Sequence, residues 1–326
     1  MSYSVLPTEE IKQAKTLMRD AFCGALTAAA EKNPRVTYLD ADLASAFGMT
    51  PFFKAFPDRA IDCGIQEADM VGVAAGLSLA GQIPFAHSFG CFTTRRAADQ
   101  VMLSCLYGRA NVRLIGSDPG ITASHNGGTH MPFEDIGVLR SMPGITILDL
   151  TDPVLLADIV AQLSGDKYYG TYYMRFPRKS VSAVYAEGST FEIGKGNLLR
   201  EGGDVTLIAC GIMVAEAILA AAILEAEGIS ARVVDMFTIK PVDRELIAES
   251  AQKTGCIVTA ENHNEVGGLF AAVAETCAAL SPVPIEAVGT GDRFGQVGSE
   301  GYLKQEYGLT AEEIAAKAKR AVERKG

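Results

Sequence analysis

The sequence predicts an α/β protein of two doubly wound domains: a larger one with a mainly parallel sheet over residues 1–187, and a smaller α/β domain over residues 188–326. Three observations carry that expectation. The chain has 326 residues, more than a single hydrophobic core usually organises, and 48% of them are apolar, enough to fill two cores. Short apolar strands alternate with helix-like stretches from end to end, the order that yields parallel strands covered on both faces. Between Pro177 and Asp204 the alternation lapses into "PRKSVSAVYAEGSTFEIGKGNLLREGGD", which reads as a linker with a short hairpin because it is rich in Gly, Ser and charge.

In the first domain the apolar runs "VTYLD" (36–40), "PFAHS" (84–88), "VRLIG" (112–116), "ITILD" (145–149) and "TYYMRF" (171–176) read as strands. The helices between them are expected to start near Ile11, Glu67, Thr94, Phe133 and Pro153, each short enough for one crossover. The second domain repeats the scheme with strands "VTLIAC", "SARVVD", "CIVTAE" and "VPIEAV", separated by Ala-rich helices at 212–227, 242–253 and 266–280. No short-period repeat or low-complexity tract interrupts either half.

Charge and cysteine usage narrow the class. A net charge of -10 argues against a nucleic-acid or anionic-membrane surface, since both need clustered Lys and Arg. A locally basic pocket for a small anion stays compatible with it. The seven cysteines stand singly in apolar contexts, without a CxxC pair, which predicts reduced thiols and a cytoplasmic setting. No apolar run approaches the roughly 18 residues that span a bilayer, and the amino terminus lacks an apolar signal core. The four histidines (His87, His125, His130, His263) show no zinc-site spacing, so no protein-built metal site is expected. A Walker loop and a GxSxG elbow are both missing, and "GTGDRFGQVG" (289–298) reads as a Gly-rich surface loop.

Two loops remain. In an open parallel sheet, ligands bind at the carboxyl ends of the strands. "DCGIQE" (62–67) and "GSDPGITASHNGGTHMPFED" (116–135) both fall there, and the second brings His125, Asn126, Thr129 and His130 among glycines. Its plainer reading is a solvent loop with incidental histidines. Glu67 opens a nearly uncharged helical stretch, "EADMVGVAAGLSLAG". A carboxylate there can simply complement the helix dipole. If the helix end is buried, however, the acid needs a specific partner.

The segments "DCGIQEADMVGVAAGLSLAGQIPFAHSFGCF", "RAADQVMLS", "GGTHMPFEDIGVLRSMPGITILD", "VTLIACGIMVAEAILAAAILEAEGISARVVDMFTIKPVD" and "ENHNEVGGL" together resemble the carboxyl-terminal half of transketolases, in the family's order, from about Ala14 to "YGLTAEEI". The resemblance implies a pyrimidine-binding domain followed by the transketolase C-terminal domain, and an enzyme using thiamine diphosphate. It implies that Glu67 hydrogen-bonds N1' of the cofactor's aminopyrimidine and stabilises the tautomer that removes the thiazolium C2 proton, work that a desolvated carboxylate suits. Phe89 and Phe92 match the aromatic pair packed against the pyrimidine, whose plainer reading is core packing, and Asp62 and Ile65 fall beside the same cofactor. His130 matches a substrate-facing histidine. Arg175 matches an arginine that anchors the anionic end of the sugar, and Asp118 lies where relatives carry a substrate-near His or Asp.

Two departures shape the expectation. Where the family has Glu-Asp-Gly before Thr-His, this chain has His125-Asn126-Gly127, which predicts a sugar other than the ordinary pentose phosphates. No GDG followed by Asn-Asn, the family's diphosphate and Mg²⁺ motif, occurs anywhere. The resemblance therefore implies one subunit of a split enzyme, inactive alone, with the diphosphate and Mg²⁺ held by an N-terminal transketolase subunit in an α2β2 heterotetramer. The rival enzyme readings are the beta subunit of a 2-oxo acid dehydrogenase first component and a deoxyxylulose-phosphate synthase. "THMPFEDIGVLRSMPGI" and "TIKPVD" favour transketolase over the dehydrogenase, and the synthase normally runs as a single long chain. A non-catalytic scaffold of the same fold is the reading from another class.

Overall fold

A computed structural model describes residues 2–325, and its two sheets bear out the predicted α/β class. The first sheet contains β1 (Val36–Asp40), β2 (Ala60–Asp62), β3 (Ile83–Phe89), β4 (Arg113–Ser117), β5 (Thr146–Asp149) and β6 (Tyr172–Phe176). These six strands run parallel, in the spatial order β5-β6-β4-β3-β1-β2. Apart from Thr146 and the edge strand β2, their residues are buried on both faces of the sheet, which is why they read as continuous apolar runs rather than alternating ones. Helices α1 (Met18–Lys32), α2 (Thr50–Ala55), α3 (Glu67–Leu79), α4 (Ala98–Gln100), α5 (Asp135–Arg140) and α6 (Pro153–Leu163) make the connections. Asp152 caps α6, its side chain accepting from Val154 N and Leu155 N with Pro153 in the first turn, a start that the sequence announces.

The second sheet is β12-β11-β8-β9-β7, built from β7 (Asn197–Arg200), β8 (Val205–Ala209), β9 (Ala231–Asp235), β11 (Ile257–Ala260) and β12 (Ile285–Val288). It packs against α7 (Met213–Ala226), α8 (Arg244–Thr254), α9 (Leu269–Leu280), α10 (Glu300–Tyr307) and α11 (Ala311–Arg324).

Two expectations need correction, and one pairing was not foreseen. The first helix begins at Met18, not near Ile11, because the preceding residues run beside the 182–190 segment through bridges such as Val5↔Tyr185 and Gln13↔Ser182. The stretch read as a linker with a hairpin is therefore half of that pairing, and its end is strand β7, antiparallel to β9 at the sheet edge. Last, β10 (Thr238–Lys240) leaves the second unit and pairs antiparallel with β5 of the first sheet. Pairing between distant segments leaves no local periodicity, so none of the three is visible along the chain.

The strands spread to both sides of β1: β2 lies on one side and β3 on the other. Such a reversal opens a crevice at the carboxyl ends of the strands, and the candidate residues gather there.

Candidate active site

Glu67 is the first residue of α3 and only 2% exposed. Its Oε1 accepts from Ser88 Oγ at 2.9 Å and its Oε2 from Arg96 Nη1 at 2.6 Å. The buried acid therefore has protein partners, which the sequence did not reveal. Ser88 is on β3, whose side chains alternate between faces, so Ser88 turns toward Glu67 while Phe89 points to the other side. Arg96 ends a π-helical turn over Phe92–Arg96, and its guanidinium carbon lies 3.8 Å from the centroid of the Phe92 ring. That placement combines an ion pair with a cation–π contact.

His130 stands between the two predicted aromatics. Its ring centroid is 5.2 Å from that of Phe89 and 5.1 Å from that of Phe92, both edge-on, and the phenyl rings are 6.1 Å apart at 89°. Thr129 Oγ1 lies 2.9 Å from His130 Nδ1 and fixes the ring's rotation. Burial, then the charges of Arg96 and Arg178, holds His130 below the ordinary histidine value, so a neutral imidazole is available near pH 7.

The structure places two of the predicted substrate contacts in the interior. Arg175, expected to anchor an anion, is fully buried. Its Nε lies 2.9 Å from Asp135 Oδ2, Nη1 donates to Asp149 Oδ2 at 2.9 Å, and Nη2 donates to the Asn262 carbonyl at 3.1 Å. With two carboxylates around it and no exposed surface, it ties the first sheet to the second unit. Asp118 is also buried, and both its oxygens are taken by Arg178: Oδ1 by the backbone N–H at 2.8 Å and Oδ2 by Nε at 2.6 Å. Arg178 itself faces the second aromatic, with its guanidinium carbon 4.9 Å from the Phe89 centroid, as Arg96 faces Phe92. The signal for it was present in "RFPRK", where the second arginine follows the strand and the first lies inside it.

The remaining predicted residues are exposed. His125 and Asn126 are exposed on the loop before Gly127, and Ile65 is 69% exposed. Asp62 uses Oδ1 to accept from Asp42 N at 3.1 Å and Gly64 N at 2.9 Å, shaping the turn into α3. Behind the site, His87 Nδ1 lies 2.9 Å from Asp40 Oδ2 and Nε2 lies 3.0 Å from Ser117 Oγ. All three residues are sealed from solvent, so this serine, histidine and aspartate support the sheet and offer no nucleophile.

Residues 14–183 match the transketolase pyrimidine-binding domain, and residues 194–314 match the transketolase C-terminal domain. The chain belongs to the transketolase family. The 6-deoxy-6-sulfo-D-fructose transketolase subunit SqwH of Clostridium sp. (strain MSTE9) is 47% identical over 316 residues, spanning 97% of this chain and 98% of the relative. A subunit of the apulose-4-phosphate transketolase of Phocaeicola vulgatus is 36% identical over 302 residues, 92% of this chain and 96% of the relative. A solved structure described as a split gene transketolase, inactive beta4 tetramer, superposes with a TM-score of 0.89 at 40% identity, covering 95% of this chain and 99% of that one. These transketolase relatives are about as long as this chain, and the two curated ones are described as subunits.

Proposed function

We propose that this chain is the pyrimidine-binding subunit of a thiamine-diphosphate-dependent transketolase that transfers a two-carbon ketol unit from an anionic ketose to an aldose. The observation that carries the reading is the corner made by Phe89, Phe92 and His130, flanked on one side by the Glu67–Arg96 pair and on the other by Arg178. The aromatic pair suits the flat aminopyrimidine. Glu67 still has acceptor capacity beyond its two donors, since a carboxylate can take about four hydrogen bonds. The cofactor, when bound, supplies the carbon nucleophile that carries the two-carbon unit.

The chain's own groups divide the rest of the work. Glu67 shares a proton at the pyrimidine N1'. His130, neutral and able to donate or accept at Nε2, serves the sugar hydroxyls, and Arg178 holds the anionic end as a charge-assisted donor. His125 and Asn126 line the mouth, where they discriminate between sugars. The sulfonated and phosphorylated sugars in the relatives' names fit a site with that arginine. The N-terminal transketolase subunit would supply the diphosphate and Mg²⁺ site, in an α2β2 assembly, with the division between this chain's two domains near residue 187. The seven free cysteines support a cytoplasmic setting.

The test is co-purification with the native partner and assay of 6-deoxy-6-sulfofructose, apulose 4-phosphate and xylulose 5-phosphate as donors, with thiamine diphosphate and Mg²⁺. Turnover by the complex and none by the isolated chain is expected. Activity of the isolated chain, or inactivity of the complex on every ketose, would overturn the reading.

A further inference from the structure

The Gly-rich stretch 289–298 is a surface loop, as expected, with Phe294 and Val297 exposed, but its inner edge is not free. It lies against the catalytic loop of the other unit, glycine to glycine. A Cβ on Gly128 would collide with the carbonyl oxygen of Gly295, and a Cβ on Gly127 would stand 2.8 Å from Val297 Cγ2. From the other side, a Cβ on Gly295 would stand 2.7 Å from Met131 Sδ and 3.1 Å from Gly128 Cα. Gly127 also has φ 75°, a left-handed conformation that a side chain would strain. Gly127 O in turn accepts from His130 N at 3.0 Å, so the pressed glycines and the site histidine form one backbone unit.

The loop that presses on them is itself held. Tyr307 OH donates to Phe294 O at 2.9 Å, and the Arg293 guanidinium carbon lies 4.5 Å from the Tyr307 ring centroid while Arg293 Nε donates to Thr290 O at 3.1 Å. Tyr307 is buried against Phe133, centroids 5.2 Å apart, three residues beyond His130. The loop therefore has a rigid footing on α10 and a backbone-close contact at its tip.

We propose that loop 289–298 of the C-terminal unit is a positioning element for His130, with Gly295 and Val297 setting the height of Gly127–Gly128 against Phe89 and Phe92. This rests on the transketolase reading of the site. At Gly128 and Gly295 the two loops meet backbone to backbone, with only the Val297 and Met131 side chains beside them, so an added carbon at the interface presses on the backbone that carries the histidine. A displacement of about 1 Å at such a group costs on the order of 100-fold in rate.

The experiment compares Gly295→Ala and Val297→Ala with the wild type in the reconstituted complex, using xylulose 5-phosphate and the sulfonated ketose as donors, and in the isolated full chain by amide hydrogen exchange. Gly295→Ala is expected to speed exchange across 125–131, raise KM for the ketose and lower kcat/KM about 10- to 100-fold. Its dissociation constant for thiamine diphosphate should stay within about twofold of wild type, which a merely global defect would not leave intact. Val297→Ala, which removes methyls without adding bulk, should fold normally and show the same direction at smaller size, so it decides the matter if Gly295→Ala does not fold. Unchanged exchange and unchanged ketose KM in Val297→Ala, or cofactor affinity falling in step with kcat/KM in either variant, would overturn the positioning role. If the wild-type complex turns over no ketose, the transketolase reading fails on its own, and the exchange arm still decides the loop contact.

Discussion

Arg96 lies on Glu67. Its Nη1 donates to Glu67 Oε2 at 2.6 Å while the guanidinium stacks on Phe92, so the acid at the mouth of α3 is neutralised by a residue that also touches the aromatic pair. Arg96→Ala strips the charge partner from a buried carboxylate and leaves it only Ser88. Because the guanidinium is 45% exposed, the expected loss of stability in the isolated chain is about 1 kcal/mol rather than the 3–5 kcal/mol of a fully buried pair. Urea denaturation of the isolated chain measures it, and the loss should shrink when cofactor and partner are present.

Glu67→Gln keeps the shape and an acceptor for Ser88 but removes the group that shares a proton with the cofactor. Turnover of the reconstituted complex should fall by roughly 10² to 10⁴, the usual worth of a positioned acid or base, with the thermal transition of the chain little moved. Full turnover by Glu67→Gln would leave the carboxylate with a structural role alone.

The two arginines of "RFPRK" should separate cleanly. Arg175→Met leaves Asp135 and Asp149 facing each other in the interior without their shared cation, and should cost about 3–5 kcal/mol of stability. Arg178→Met removes a charged donor facing the substrate side; it also takes the Nε partner from the buried Asp118, whose Oδ1 keeps the backbone N–H, so its cost in stability should be smaller than that of Arg175→Met. KM for an anionic ketose should rise by roughly 10- to 100-fold, the scale of one lost charge-assisted hydrogen bond. Denaturation curves and ketose kinetics on both variants decide the assignment.

His263 supplies a pH signature. It is fully buried, its Nε2 accepts from Gly137 N at 3.3 Å and its Nδ1 donates to Asn264 O, so it is held neutral, and burial pushes its pKa down to about 4. The unfolded chain protonates the same ring near 6.5 and so binds more protons as the pH falls. Stability is complete above about 6.5 and drains away between there and 4, by on the order of 3 kcal/mol from this residue. His263→Gln, which can still accept from Gly137 N, should flatten that part of the curve in urea titrations run from pH 7 to pH 4.

Composition and periodicity by themselves determined the two α/β units, the parallel strands and the start of α3 at Glu67, while the pairing of Phe89 with Phe92 came from the resemblance to transketolases. The first three are local patterns: a run of apolar residues, an alternation of strands and helices, a carboxylate at a helix start. The position of His130 on a glycine-bearing loop after β4 was equally legible, because loops after parallel strands open onto one edge. What only the tertiary structure decided is which charged groups meet. Arg175 and Arg178 are three residues apart, yet the first is enclosed between Asp135, Asp149 and Asn262 while the second clears the end of β6 and turns to Phe89. Arg96 reaches Glu67 from 29 residues away, and Gly295 reaches Gly128 from the other unit. A sequence records which side chains can pair, but partner choice among several cations depends on the register of strands and the close approach of loops, and those are fixed only when the chain is packed.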